Sequence, residues 1–219
     1  GLGDVYKRQD SARAYYEAGC DELVFLDITA TSDNRETTVD MVRRVADQVF
    51  IPFTVGGGIR SVEDMNKMLK AGADKVAVNS SAHANPQLIS DCAQKFGNQC
   101  VVAAIDAKKM ADGSWHVFVA GGRKDTGRNL IQWAQEVVAL GAGEILLTNM
   151  DKDGTKSGFD LEMLNRVAEV VDVPIIASGG AGNIEDIVEV FEKTTATGAL
   201  AASIFHLSLI HISEPTRRT

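Results

Sequence analysis

The chain contains 219 residues, of which 45% are hydrophobic and 24% are charged, a composition typical of a globular protein with one sizeable core. Its formal net charge of −8 would repel the phosphates of DNA or RNA, so we expect no nucleic-acid partner. No apolar run reaches the roughly 18 residues needed to cross a bilayer, and no secretory signal is visible. We therefore expect a cytoplasmic protein that binds no membrane and keeps its three cysteines reduced.

Short β-branched segments alternate with amphipathic helical segments along most of the chain. This alternation predicts βα units around a parallel sheet. The predicted strands are Glu22–Asp27, Ile51–Val55, Lys75–Asn79, Val101–Asp106, Glu144–Asn149, Pro174–Ser178 and Gly198–Ser203. The predicted helices between them are Thr38–Val49, Val62–Leu69, Asn85–Phe96, Leu130–Leu140, Asp160–Val171 and Ile184–Phe191. The long interval after Asp106 predicts an inserted hairpin or ordered loop.

An internal repeat indicates how these units are arranged. Shifting the chain by 122 positions superposes Gly19–Asp64 on Gly141–Asp186 without a gap, and many of the superposed residues are identical. A half-length repeat of four βα units is how a (β/α)8 barrel would be built from two fused halves. We therefore predict an α/β fold, a (β/α)8 TIM barrel made of two half-barrel repeats, over residues 10–206.

The repeat also predicts that the barrel is incomplete in this chain. Seven strands are recognised where a closed ring needs eight, and the repeat mate of Val101–Asp106 would lie upstream of residue 1. We expect the chain to begin inside the first helix, Ser11–Ala18, and to lack the first strand and the last helix. Residues 1–9 and 207–219 show no amphipathic period, so we expect them to be non-native ends and leave them out of the predicted barrel.

Glycine-rich turns end two strands that the repeat makes equivalent. Glycine lets a backbone approach an anion closely, and the N–H groups of a helix N-terminus bind phosphate. Turns are often glycine-rich for other reasons, but here each turn is accompanied by a small polar or hydroxyl segment on the next strand. Because the two copies lie half a barrel apart, we predict a ligand with two phosphates. The candidate residues in these segments are Gly58, Asn79 and Ser80 in one half and Ser178, Gly180, Ala202 and Ser203 in the other.

Several aspartates follow apolar strands at the edge where a (β/α)8 barrel carries its active site. Asp106 and Asp27 end predicted strands, and Asp151 and Asp153 follow another. A carboxyl group in this position can be tuned for general acid–base catalysis. Each could instead cap the helix that follows it. We single out Asp106 as the candidate catalytic residue.

Charged residues begin three of the predicted strands, at the opposite edge of the barrel. Glu22, Lys75 and Glu144 start the second, fourth and sixth strands by barrel count, and alternate strands contribute side chains to the same interior layer. They could form a charged ring at the barrel floor or a solvated rim. The four histidines share no ligand spacing, so we expect no metal.

Five segments together resemble one known family. The segments Asp21–Ala30, Pro52–Ile59, Gly143–Thr148, Asp151–Gly158 and Ile176–Gly182 closely resemble the cyclase subunits of imidazole glycerol phosphate synthase. The likeness runs from about Ser11 to His206. The resemblance implies a (β/α)8 barrel enzyme of histidine biosynthesis that needs no cofactor.

The resemblance also implies the reaction and the partner. Ammonia from a glutaminase subunit is added to a bisphosphorylated ribulosyl formimino aminoimidazole carboxamide ribonucleotide. The products are imidazole glycerol phosphate and an aminoimidazole carboxamide ribonucleotide. Two aspartates on opposite strands act as general acid and base, of which Asp106 matches one. The other belongs to the missing first strand, so we expect this fragment to be inactive.

The family's remaining sites map onto residues already singled out. Gly58, Asn79 and Ser80, with Asp153 and Gly154 nearby, correspond to one phosphate site, and Gly180, Ala202 and Ser203 correspond to the other. Glu22, Lys75 and Glu144 match three members of a salt-bridged gate for ammonia, whose arginine belongs to the missing strand. Asp74 lies on the face that would meet the glutaminase.

Two alternatives remain open from the sequence. The sister isomerase of the same pathway shares the half-barrel repeat and the phosphate sites. The segment Phe25–Ala30 and the set Glu22, Lys75 and Glu144 favour the cyclase over it. The chain could also be a non-catalytic fragment that binds phosphate or docks to a glutaminase, since an open barrel of seven strands exposes its edges.

Overall fold

A computed structural model describes residues 10, 22–26, 35–202 and 209–213, and for a few of these only the backbone. In these ranges the strands form one sheet. They are β1 (Glu22–Phe25), β2 (Phe53–Gly56), β3 (Lys75–Val78), β4 (Val101–Lys109), β5 (Trp115–Val119), β6 (Lys124–Asn129), β7 (Glu144–Asn149), β8 (Ile175–Ser178), β9 (Gly198–Ala202) and β10 (Leu209–Ser213).

The α-helices of the same ranges lie between the strands. They are α1 (Arg35–Gln48), α2 (Val62–Ala71), α3 (Ser80–Ala84), α4 (Gln87–Phe96), α5 (Leu130–Leu140), α6 (Leu161–Ala168) and α7 (Ile184–Lys193). The predicted helix Asn85–Phe96 begins two residues later than expected, and a separate short helix precedes it. Pro86 separates the two helices, because a proline disfavours the helical conformation of the residue before it. The helix predicted at Ser11–Ala18 lies outside the described residues. No helix in the described part of the chain is long and apolar enough to span a membrane.

The parallel strands form a barrel, as predicted, but the ring is closed, whereas the sequence predicted an open barrel of seven strands. Seven parallel strands follow the order β1-β2-β3-β4-β7-β8-β9, and β10 pairs antiparallel with both β9 and β1. The sequence prediction leaves residues 207–219 out of the barrel, but Leu209–Ser213 within this range forms β10. Without β10, the facing edges of β1 and β9 would present unpaired backbone donors and acceptors, and β10 pairs with both edges. The foreign origin of the two chain ends stays a prediction.

Two hydrophobic clusters lie on the two faces of the ring. The smaller fills the barrel interior and consists of Val24, Ala77, Val102, Leu146, Ile176 and Leu200. The larger lies between the ring and the helices, where Val101, Ala103 and Ile105 of β4 are almost fully buried. Alternate residues of β4 thus face the two clusters in turn, as the two-residue period of a strand requires. Burying each large side chain contributes about 1.5–3 kcal/mol.

The half-barrel repeat is visible in the capping of α2 and α7. The Ser61 side chain accepts a hydrogen bond from the Asp64 N–H, and the Asn183 side chain accepts one from the Asp186 N–H. Each aspartate in turn accepts from the backbone just before the cap, from Arg60 at 3.0 Å and from Gly182 at 2.7 Å. The two glycine-rich turns therefore lead into helices by the same local structure.

The interval after Asp106 is a β-hairpin, as predicted. β4 continues to Lys109 instead of ending at Asp106, because β5 pairs antiparallel with its last four residues. β6 then pairs with β5 and leads into α5. The hairpin thus extends one wall of the barrel beyond the ends of the neighbouring strands.

Candidate functional site

Asp106 and Asn79 meet at the carboxyl ends of two adjacent strands. Asp106 lies near the end of β4, and Asn79 directly follows β3. The Asn79 side-chain amide donates a hydrogen bond of 3.1 Å to Oδ2 of Asp106. Asp106 does not cap a helix, since its strand continues for three more residues. The structure thus brings together the candidate catalytic residue and one predicted phosphate-site residue.

The surroundings of Asp106 raise its pKa above the ordinary value. Burial makes the largest contribution, because it disfavours the charged carboxylate. The hydrogen bond from Asn79 opposes this, and the negative charge of Asp153 adds to it. The net direction is upward, so Asp106 holds a proton to higher pH than a solvated aspartate does. A carboxyl group in this state suits transfer of a proton to or from a bound ligand.

The loop after β7 carries Asp153 and is held at its base by Asn149. The buried Asn149 side chain accepts hydrogen bonds from the N–H groups of Asp151, at 2.9 Å, and Lys152, at 3.2 Å. Its amide donates to Oδ2 of Asp160 at 2.6 Å, and Asp160 caps α6. Neither Asp151 nor Asp153 caps this helix, so the capping interpretation is wrong for both.

Sequence reasoning missed the roles of Asn149 and Asp160. Asp160 also accepts a hydrogen bond of 3.3 Å from the indole N–H of Trp115 in the hairpin. One carboxylate thereby ties the hairpin, the end of β7 and the start of α6 together. The sequence signal was slight, since an aspartate before an amphipathic helix predicts only a cap.

Asp27 and Ser203, two residues that the sequence singled out, lie outside the described residues.

The first glycine-rich turn follows β2 and lies beside the end of β3. Gly57 and Gly58 have φ values of 98° and 71°, in the region that favours glycine. Ser80 is the first residue of α3, and its Oγ accepts a hydrogen bond of 3.3 Å from the N–H of Ala120 in the hairpin. We call the segment formed by Gly57, Gly58, Asn79 and Ser80 the first turn cluster.

The second glycine-rich turn follows β8. Gly179 and Gly180 have φ values of 86° and 114°, and a side chain at Gly180 would collide with the carbonyl of Gly158. The N–H of Gly158 donates to the carbonyl of Gly180 at 2.7 Å, so the loop that carries Asp153 and Gly154 packs on this turn. Ser178 is buried at the end of β8, and the backbone of Ala202 ends β9. The segment from Ser178 to Gly180 and Ala202 is the second turn cluster.

The two turn clusters stand on opposite sides of the ring. β8 lies four strands from β2 in either direction around the barrel. Asp106 on β4 lies between them along one side. The predicted phosphate-site residues within the described part of the chain are therefore arranged in two groups across one opening, which we call the barrel mouth.

The opposite edge of the barrel contains a three-residue charge cluster. The Lys75 ammonium lies 3.4 Å from Oε1 of Glu22 and 3.3 Å from Oε2 of Glu144. Burial lowers the pKa of Lys75, but the two glutamates raise it more, so the net direction is upward. A narrow cavity lined by both glutamates and the interior residues Val24, Val102, Leu146 and Ile176 lies above the cluster. This geometry favours the charged ring at the barrel floor over the solvated rim.

The outer surface of the same edge presents Asp74 beside an open cavity. Oδ2 of Asp74 accepts a hydrogen bond of 2.9 Å from the Phe53 N–H, which fixes the carboxylate at the start of β2. The cavity beside it is lined by apolar residues including Phe50, Ile51 and Pro52. Phe50 is 78% exposed.

Comparison with known proteins decides the family. A family model described as a histidine biosynthesis protein matches residues 4–211. Imidazole glycerol phosphate synthase subunit HisF of Streptococcus mutans serotype c is 79% identical over 213 residues, which cover 97% of this chain and 85% of that protein. The same subunit from Streptococcus sanguinis is 75% identical, with coverage of 97% and 84%. The chain belongs to the HisF family.

Membership of the HisF family confirms the resemblance found in the sequence. It agrees with the barrel fold described above. The isomerase alternative is set aside, because these highly identical relatives are HisF subunits. As a member of that family, the chain derives from an enzyme of histidine biosynthesis that works as one subunit of a complex.

Proposed function

We propose that this HisF chain is the cyclase subunit of imidazole glycerol phosphate synthase, a carbon–nitrogen lyase in the cytoplasm. It adds ammonia to the phosphoribulosyl formimino aminoimidazole carboxamide ribonucleotide. Imidazole glycerol phosphate and aminoimidazole carboxamide ribonucleotide are released. The observation that carries the proposal is the Asp106 site, where a carboxyl of raised pKa is held by Asn79 at the barrel mouth.

Asp106 supplies one half of the acid–base chemistry in this proposal. Its raised pKa keeps part of the population protonated closer to neutral pH, so it can give a proton to the substrate and take one back. The family resemblance assigns the second aspartate to a strand opposite β4. In this chain that position of the ring is occupied by β10. We therefore propose that the 219-residue chain alone has little or no cyclase turnover.

The two turn clusters bind the two phosphates in this proposal. Gly58, Asn79 and Ser80 bind one phosphate, with Gly154 nearby, and Ser178, Gly180, Ala202 and Ser203 bind the other. Backbone N–H groups of glycine turns at helix starts are suitable donors for phosphate oxygens. Their separation by four strands supports a ligand that lies across the mouth with a phosphate at each end.

Ammonia reaches the site from the floor in this proposal. A glutaminase partner docks against the edge that carries Asp74, and the two proteins form a heterodimer. The cluster of Glu22, Lys75 and Glu144 closes the entrance to the apolar interior. A neutral ammonia molecule crosses an apolar passage far more easily than an ammonium ion, because the ion would lose its hydration.

The test is cyclisation of the bisphosphorylated substrate with added ammonium salt, in a version of the chain extended to the length of its relatives. Asp106→Asn should reduce turnover by at least 100-fold and leave substrate affinity within about threefold, in line with the loss of a general acid or base. Asp172→Asn, at an exposed position, is the matched control. Unchanged turnover in Asp106→Asn would remove this residue from the chemistry. Conversion of the isomerase substrate instead would overturn the proposed activity.

A further inference from the structure

Lys108 lies on the same face of β4 as Asp106. Side chains two residues apart on a strand point to the same side, and Val102 of this face belongs to the interior cluster. β4 continues past Asp106 because it pairs with β5, so Lys108 stands one step farther out at the barrel mouth. Neither the family resemblance nor the sequence patterns assigned a role to Lys108.

The ammonium of Lys108 is held at the level of Asp106. Its Nζ lies 4.8 Å from the centre of the Phe118 ring. Phe118 pairs directly with Asp106 across the two strands, so its ring is on the same face as the carboxyl. A cation over an aromatic face is attracted to the ring without losing its hydrogen-bond donors. The N–H donors of Lys108 that do not face the ring can still bind a ligand.

The neighbouring Lys109 differs from Lys108 because its ammonium forms an ion pair. Its ammonium lies 3.3 Å from Oε2 of Glu162 and over the ring of Trp115, on the other face of the strand. Within the described ranges, the Lys108 side chain makes the ring contact with Phe118 and no ion pair or hydrogen bond. Its charge is therefore available to a ligand.

The end of β5 connects Lys108 with the first turn cluster. Phe118 lies beneath the Lys108 ammonium, and Ala120, two residues later, donates its N–H to Oγ of Ser80. The mouth itself carries the acidic groups Asp106 and Asp153, whose interaction raises the pKa of Asp106. A ligand with two phosphates entering such a mouth needs a nearby cation to offset the repulsion.

We propose that Lys108 is a substrate-binding residue whose ammonium donates to a phosphate oxygen at the first turn cluster. The inference rests on the proposed function and extends it to a residue outside the glycine turns. Lysine is a common partner of phosphate, as a point charge with three donors. The bond is non-covalent, and no proton transfer is involved.

The experiment is calorimetric titration of the purified 219-residue chain with the bisphosphorylated substrate, without ammonia. Lys108→Met should weaken binding about tenfold, which corresponds to about 1.4 kcal/mol. Lys109→Met, the matched control, should stay within twofold, and Lys108→Arg should retain affinity within about threefold. Circular dichroism of each variant checks its fold, and Lys108→Arg keeps the test valid should Lys108→Met not fold. Equal affinities of the methionine variants, or loss in the arginine variant as well, would overturn the proposal.

A second titration with the two monophosphorylated products tests which phosphate is contacted. The effect of Lys108→Met should be confined to one of the two products. An equal effect on both products would show that the Lys108 charge attracts any phosphate at the barrel mouth and does not contact one particular phosphate, which would contradict the proposal. If the unchanged chain binds none of the three ligands, this inference fails, whereas the proposed function is tested separately by the turnover of the extended chain. If it binds them and Lys108→Met binds as tightly, only the role of Lys108 fails.

Discussion

Replacing Lys75 by methionine tests whether the charge cluster at the barrel floor stabilises the protein. Lys75 lies within 3.4 Å of both Glu22 and Glu144, and the side chain of Glu144 is only 12% exposed. With an effective dielectric constant of about 20, each pair gains roughly 5 kcal/mol of Coulomb energy. Much of this is offset by the cost of desolvating the three charges and by repulsion between the glutamates. We therefore expect Lys75→Met to lower the free energy of unfolding by about 2–4 kcal/mol at pH 7.

Urea denaturation at pH 7 measures this loss. Lys70→Met is the matched control, because Lys70 is an exposed residue near the end of α2 and should change stability by less than about 0.5 kcal/mol. Removing Lys75 takes away the charge that favours the ionised glutamates, so their pKa values should rise in the variant. The destabilisation should consequently shrink below pH 5, where the glutamates bind protons. A loss equal to that of the control, or one independent of pH, would refute the reasoning.

Three further predictions concern other parts of the molecule. Asp106→Asn should raise the unfolding free energy at neutral pH. The pKa of Asp106 is raised in the folded protein, so the stability that its protonated form contributes is fully present only below the ordinary pKa and is lost as the pH rises through the folded pKa. The gain in stability over wild type, measured by urea denaturation, should therefore vanish in acid. Gly180→Ala should destabilise the protein by at least about 2 kcal/mol, since the new methyl group would collide with the Gly158 carbonyl. In Gly113→Ala the methyl group meets no atom within 4 Å, so this variant should show only the backbone strain of its positive φ, about 1 kcal/mol. Thermal unfolding of the two variants compares these effects directly. Burial raises the pKa of the Cys92 thiol to about 11, so iodoacetamide at pH 8 should label Cys100 in the native protein well before Cys92, as read by peptide mass mapping.

The order of strands and helices could be predicted because it depends on local patterns. The strand Glu144–Asn149 and the helix Leu130–Leu140 have the predicted bounds, since their apolar periods end at polar or glycine residues. The extension of β4 to Lys109 could not be predicted, because it results from pairing with β5 and not from the residues of β4 themselves. The same applies to β10, whose segment shows no amphipathic period and is held by the edges of β1 and β9.

The candidate site was only partly predictable for a related reason. Strand ends and glycine turns identify Asp106 and Gly180, because parallel strands end at a common edge. The contact of Asn79 with Asp106 requires the register between β3 and β4, which no local pattern contains. The role of Asp160 requires three elements at once, the hairpin, β7 and α6, so the sequence showed only its capping function.

The packing of the loop from Asp151 to Gly158 on Gly180 links the second glycine-rich turn to the surroundings of Asp106. The loop carries Asp153, whose charge raises the pKa of Asp106, and it is attached by the hydrogen bond from Gly158 to Gly180. An anion bound at Gly180 that shifts this loop changes the distance between the two carboxylates, and therefore the proton affinity of Asp106. By reciprocity, the protonation state of Asp106 changes the affinity for that anion by the same factor. A ligand that moves this loop at one end of the barrel mouth would thereby change the protonation of the acid at its centre.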